Sequence, residues 1–326
     1  MNMLLNLVIL RIPGLKPAER NLLCNEFRDE TDPVRITKDA VEAIVKHPVA
    51  CKMKNIIAEA ERDYKTVMRN GIKMVTLDDN DYPPLLREIY DPPHLLFYRG
   101  ILPNPEQPLA AMVGTRQPSS AAAAMAYELG RDLGRNGVAV VSGLALGIDA
   151  LSHRGNIDAG APTVAVLGSG VDQIYPAVNR GLARQILEKG GAILSELPPL
   201  MGPRKWHFPA RNRIISALAR GTIIIEAPAK SGALITASFA LEQGRDLWVS
   251  SAGLTSPKGA GTAKLRDEGA KVIGSAAEIL AEWGFIQKVT CASESGIGPD
   301  QSRTASSMAT GSSLASSLAK KLKVEI

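Results

Sequence analysis

From Leu109 onward the chain alternates between short apolar runs and longer stretches with helical spacing. The runs Leu109–Val113, Val138–Ser142, Thr163–Leu167, Ala192–Glu196, Thr222–Glu226, Asp246–Ser250 and Lys271–Ile273 show little polar alternation. Short runs of that kind predict strands covered on both faces. Between them lie helical stretches such as Ser120–Arg135, where Met125, Leu129 and Leu133 recur at i, i+4 and i+8 and share a face. Strand and helix in strict alternation predict an α/β fold with a mostly parallel sheet and flanking helices. Such sheets bind ligands at the carboxyl ends of their strands, so function is sought in the loops that follow them.

The first 66 residues read differently. Apolar residues recur there at helical spacing and β-branched alternation is missing, which predicts a small helical domain over residues 1–66. The apolar opening Met1–Leu10 has no basic leader, no small-residue cleavage site follows it, and Arg11 and Pro13 end it early. It reads as a buried first helix rather than a signal peptide. Gly14 marks a turn between two short helices; it suits a DNA-gripping helix-hairpin-helix or a plain interhelical turn. In the stretch 67–107, Ile72–Leu77 and Leu95–Tyr98 read as strands and Asp81–Pro84 as a turn. A sheet domain is therefore expected over residues 67–285. Beyond it, Ser, Thr, Ala and Gly dominate 286–326 and predict a disordered tail. A terminal helix at Ser313–Val324 and a basic anchor at Lys320, Lys321 and Lys323 are alternatives there.

Composition narrows the function classes. Against 33 Asp and Glu stand 38 Lys and Arg, so the net charge of +5 permits an acidic or nucleic-acid partner without demanding one. The three cysteines (Cys24, Cys51, Cys291) and four histidines (His47, His94, His153, His207) are scattered. That spacing predicts neither disulfide scaffold nor metal site, and fits a reducing, cytoplasmic setting. No apolar stretch is long enough to span a bilayer.

Four post-strand loops are candidates. Gly114, Thr115 and Arg116 follow the first apolar strand and precede a helix; a glycine there admits a phosphate, and Arg116 offers a fork of donors. Ser142-Gly143-Leu144-Ala145-Leu146-Gly147-Ile148-Asp149 repeats the arrangement on the next strand and suggests a shared anion site. Gly168-Ser169-Gly170 begins like a dinucleotide fingerprint, but Gln173 stands where its third glycine belongs. With no Walker A sequence anywhere, no nucleotide cofactor is expected. In the fourth loop, Lys230, Ser231 and Gly232 could complete the anion site, or Ser231 could merely cap a helix.

The most informative segment is Arg204-Lys205-Trp206-His207-Phe208-Pro209-Ala210-Arg211-Asn212-Arg213. No acidic residue occurs between Glu196 and Glu226, and although aromatics are only 4% of the chain, Trp206 and Phe208 both sit among these cations. Cations that track phosphates, interleaved with rings for bases, suit a binder of single-stranded nucleic acid. Core packing is the alternative for both rings, and stacking is favoured for Phe208. Candidates for catalysis are poor. Asp149 and His153 could form an acid–base pair or a surface ion pair. Glu196 and Glu226 each end a strand, but nothing sets their separation.

Taken in order, Val113-Gly114-Thr115-Arg116, Val141 to Asp149, Ala165 to Gly170 with Ile174-Tyr175-Pro176, Ser195-Glu196, Phe208 to Ser216, and Glu226-Ala227 with Lys230 to Thr236 resemble the DprA/Smf (DNA-processing protein A) family over residues 70–283. The resemblance implies an extended Rossmann-like domain preceded by a SAM-like helical domain. It implies a non-enzymatic, dimeric protein that binds and protects single-stranded DNA and loads a RecA-type recombinase onto it in natural transformation. It further implies that Arg116, Lys205 and Phe208 contact DNA. With the loop readings, the expected DNA-binding set is Gly114, Thr115, Arg116, Ser142, Gly143, Lys205, Phe208, Arg211, Asn212, Arg213, Lys230, Ser231 and Gly232. Two departures touch the expected pocket rim. Ser250-Ser251 stands where the family has Pro-Gly, and Ala263 where it has Asn. The competing readings are a Rossmann-like nucleotide phosphoribohydrolase, whose Pro-Gly-Gly-x-Gly-Thr run is missing, and an adaptor whose main contacts are with proteins.

Overall fold

A computed structural model of the chain describes residues 2–285. The Ser-rich stretch 286–326, expected to be a disordered tail, lies outside the described residues. Helices α1 (Met3–Arg11), α2 (Pro17–Glu26), α3 (Lys38–Val45) and α4 (Met53–Arg69) come first. Strand β1 (Lys73–Thr76), helix α5 (Pro84–Arg87) and strand β2 (Leu95–Gly100) lead into the alternating region. There β3 (Leu109–Val113), α6 (Ser120–Arg135), β4 (Ala139–Ser142), α7 (Ile148–Asp158), β5 (Val164–Val166), α8 (Arg180–Glu188) and β6 (Ala192–Ser195) follow in turn. They are succeeded by α9 (His207–Leu218), β7 (Gly221–Ile224), α10 (Gly232–Glu242), β8 (Asp246–Ser250), α11 (Ser251–Leu254), α12 (Ala260–Asp267), β9 (Lys271–Ile273) and α13 (Ala276–Glu282).

The nine strands form one sheet in the order β1-β2-β6-β5-β4-β3-β7-β8-β9. All neighbours from β6 to β9 are parallel, while β1 and β2 add an antiparallel edge on β6, with Phe97 opposite Ser195. The mostly parallel α/β fold read from the sequence is the fold observed. Its cause is visible in β3, whose residues are all buried. Leu109, Ala111 and Val113 pack into the cluster that holds Ile214, Ile215 and Ala237, whereas Ala110 and Met112 face Ala126, Leu129 and Leu133. The period of two therefore sends alternate side chains to opposite helical layers.

Local signals set the helix ends. Ser119 caps α6 by accepting from the Ala122 N–H, and the hydroxyls of Ser231 and Ser250 cap α10 and α11 in the same way. Helices α6 and α7 meet backbone to backbone. A Cβ on Gly155 would lie 2.0 Å from the Tyr127 carbonyl oxygen, and one on Gly130 would lie 2.5 Å from that of Ser152. Asn156 seals the contact, donating to the carbonyls of Gly130 and Val138 and accepting from Val140 N–H. The apolar face of α1 (Leu5, Leu7, Val8, Ile9) joins one cluster with Leu95, Phe97, Leu167 and Ile193 of the sheet region. Gly14, between α1 and α2, takes a positive φ of 78° as its turn requires.

The structure corrects the reading of Asp149 and His153. Neither is at the surface, and His153 is fully buried, its Nδ1 lying 2.7 Å from the Thr163 hydroxyl. That hydroxyl donates to the Val140 carbonyl, so its oxygen accepts from Nδ1–H. Burial pushes His153 down to about 3 and His94, which faces the Asn6 carbonyl, down to about 4. Below the ordinary histidine pKa of about 6.5 the unfolded chain binds protons that the folded state refuses. This contribution to stability is therefore complete above that pH and is lost as pH falls. Between about pH 7 and about pH 5, unfolding free energy should drop by about 2 kcal/mol per histidine. Denaturant melts at the two pH values test this, and a His94→Gln, His153→Gln double variant should show a flatter dependence than the parent.

Candidate nucleic-acid interface

After β3 the chain builds the sheet in one direction through β4, β5 and β6, then returns to place β7 on the other side of β3. The loops leaving β3 and β7 part at this switch, and a crevice must open between them. A cavity of about 580 Å³ occupies it. Of the residues expected from the sequence, Gly114, Thr115, Arg116, Phe208, Arg211, Asn212, Lys230, Ser231 and Gly232 line it. Gly143 lines a smaller adjoining cavity of about 60 Å³ together with Arg116, Tyr175 and Phe208. Ser142, Lys205 and Arg213 line neither.

Several backbone donors that the glycine loops were expected to offer are already used. Thr115 N–H donates to the Glu226 carbonyl at 2.8 Å. Gly143 and Ala145 N–H both donate to the Asp149 carboxylate, at 3.1 and 3.3 Å. The chain thus fills that nest of amides with its own anion. Ser142 is buried and donates to the Met112 carbonyl. The third loop serves a ring rather than a phosphate, since a Cβ on Gly168 would sit 3.0 Å from the edge of Phe208.

The cations divide into braces and free groups. Arg211 is buried; its guanidinium donates to the carbonyls of Gly143, at 3.0 Å, and Val166. Burial pulls it down to about 10, with the attraction of Asp149 opposing, and it stays charged at neutral pH. Arg213, expected at the DNA, points elsewhere. It is buried and paired with Asp91 at 2.9 Å and Glu196 at 2.5 Å. The Asn212 amide donates to the Gly232 carbonyl at 3.2 Å. Among the described residues, Arg116 and Lys230 line the crevice without a carboxylate partner. Lys205 is exposed on the segment leading into α9.

Phe208 is half-buried at the junction of the two cavities, with the Arg116 guanidinium 5.8 Å from its centroid and the Tyr175 ring 5.7 Å away. Tyr175 was not among the expected site residues, though it stands directly after the third loop. The strand-end carboxylates are both occupied. Glu196 holds Arg213, while Glu226 is buried, accepting from Ser119 N–H and from the Ser256 hydroxyl. The departures at the rim are absorbed locally. The Ser250 hydroxyl donates to the Ile225 carbonyl and accepts from Gly253 N–H, and Ala263 does not line the crevice.

A family model for DNA recombination-mediator protein A matches residues 73–284. The DNA processing protein DprA of Bacillus subtilis is 38% identical over 265 residues, spanning 78% of this chain and 87% of the relative. The X-ray structure of DprA from Streptococcus pneumoniae superposes with a TM-score of 0.72 at 33% identity, covering 86% of this chain and 98% of that one. A structure of DNA processing protein A from Helicobacter pylori, described for its single-stranded DNA binding mode, gives a TM-score of 0.56 at 29% identity over 65% of this chain and 95% of that one.

The division between braces and free cations is testable by stability. Arg211→Ala leaves the buried Asp149 carboxylate without its cation and two carbonyls without a donor, and should cost about 3–5 kcal/mol of unfolding free energy. Arg213→Ala should cost a similar amount for Glu196 and Asp91. Lys230→Ala, at an exposed side chain, should stay within about 0.5 kcal/mol of the parent.

Proposed function

Because the chain belongs to the DNA recombination-mediator protein A (DprA/Smf) family, we propose that the crevice at the sheet switch binds single-stranded DNA. One observation carries this reading: two cations without carboxylate partners, Arg116 and Lys230, flank a half-buried ring, Phe208, in a cavity where the neighbouring Arg211 and Asn212 are held by internal hydrogen bonds. Cations that accept phosphates beside a ring that accepts a base favour an unpaired strand over a duplex, whose bases are already stacked. The H. pylori relative, described by its single-stranded DNA binding mode, supports the same ligand.

We propose further that the protein acts without catalysis or cofactor, protecting incoming DNA and loading a RecA-type recombinase onto it in natural transformation, as a cytoplasmic homodimer. The involvement of Glu196 and Glu226 in internal contacts supports a binding role over hydrolysis of nucleotides.

Anisotropy of labelled oligo-dT across a salt series tests the site. Affinity should fall steeply with salt and exceed that for duplex of equal length. Phe208→Ala should weaken binding by about 1–3 kcal/mol with little change in salt slope. Arg116→Ala and Lys230→Ala should each flatten the slope by about one unit. Binding that is indifferent to salt, or a preference for duplex, would overturn the proposal.

A further inference from the structure

We infer that Trp206 and Arg204 form a second base platform, outside the crevice, on which the strand continues after leaving Phe208. The inference rests on the single-strand reading of the crevice and extends it. The protein holds three tryptophans. Trp248 and Trp283 are 1% and 6% exposed and pack edge to face at 5.6 Å, as core residues do. Trp206 is 64% exposed, and the guanidinium of Arg204 lies 5.6 Å from its ring centroid.

A lone exposed apolar side chain calls for no explanation. This one has three accompanying features. It precedes α9 directly, so the helix that presents Phe208 also fixes its backbone, with His207 N–H bonded to the Arg204 carbonyl at 3.0 Å. Arg204 and Lys205 are exposed, and neither has a carboxylate partner among the described residues. A ring already carrying a guanidinium offers a base both π-stacking and a cation for its phosphate.

The third feature is alignment. In the sheet order β7-β3-β4-β5-β6, the loop after β7 carries Lys230, that after β3 Arg116, that after β5 Tyr175, and that after β6 Arg204 and Trp206. Cations and rings thus follow one another along the carboxyl edge of the sheet. The row turns at the start of α9, where Phe208 enters the crevice beside Arg116, so Trp206, two residues earlier, stands one step outside it. A strand stacked on Phe208 must extend past the crevice to reach Trp206. The ligand that fits is an unpaired oligonucleotide rather than a mononucleotide.

The test compares oligo-dT of about 16 and about 4 nucleotides on the full chain, with tryptophan emission read beside anisotropy. Trp206→Ala should weaken the long oligonucleotide about ten-fold and leave the short one, held in the crevice, nearly unchanged. The long oligonucleotide should quench wild-type emission. Trp206→Phe, which keeps a stacking ring, should retain affinity and lose the quenching. If Trp206→Ala weakens both lengths alike, Trp206 belongs to the first nucleotide's site and there is no second platform. If it binds both as wild type, while Arg116→Ala weakens both, the strand does not pass Trp206 and the crevice reading stands. If Arg116→Ala also binds as wild type, the crevice reading falls and this inference with it.

Discussion

A buried guanidinium holds the carboxyl edge of the sheet together. Arg211 reaches from α9 beneath the loop after β4 to the end of β5, bonding the Gly143 and Val166 carbonyls, while Asp149 gathers the Gly143 and Ala145 amides from the other side. A cation taken out of water survives only where its donors are satisfied and an anion stands near. That requirement fixes the loop after β4 and the start of α9 relative to each other. Gly143 has no room for a side chain because a Cβ there would lie 2.5 Å from this guanidinium.

Glu226 does the corresponding work across the switch, joining the start of α6 to the segment before α12 through Ser119 and Ser256. The crevice between these two buried charges is therefore set before any ligand arrives. Preorganisation of this kind lowers the ordering cost of binding, which matters for a ligand as floppy as a single strand. Arg116 and Lys230 at the crevice, and Arg204 and Lys205 outside it, have no carboxylate partner among the described residues, and there desolvation is slight and attraction for phosphate is retained.

The sheet was legible in the sequence because burial on both faces leaves an uninterrupted apolar run. Leu109–Val113, buried throughout, matches its strand end to end; Asp246–Ser250 and the edge strand Lys271–Ile273, which is mostly exposed, also match, as Ser120–Arg135 matches its helix. The region of the crevice was legible too, since it follows from where loops leave parallel strands. Which cations remain free was not legible. Arg213 is paired with Asp91, 122 positions away, and Glu226 with the Ser119 amide, 107 positions away. Sequence spacing carries no record of such partners. The amides of Gly143 and Ala145 read as an open anion nest because spacing alone does not show that the Asp149 side chain, a few residues on, turns back to fill it. Tyr175 was overlooked because a single ring outside a basic cluster carries no local sign of a ligand.

The meeting of α6 and α7 has a consequence for how such a molecule can diverge. At Gly155 and Gly130 main chain lies against main chain, so no exchange of neighbouring side chains can compensate for a substitution there. The spacing of these helices beneath the crevice is frozen. Exposed side chains at the mouth such as Lys230, by contrast, have no such backbone constraint. Ligand preference can drift by single replacements at the mouth while the frame stays unchanged, and a designer wishing to retarget the protein would work at the mouth and leave the glycines alone.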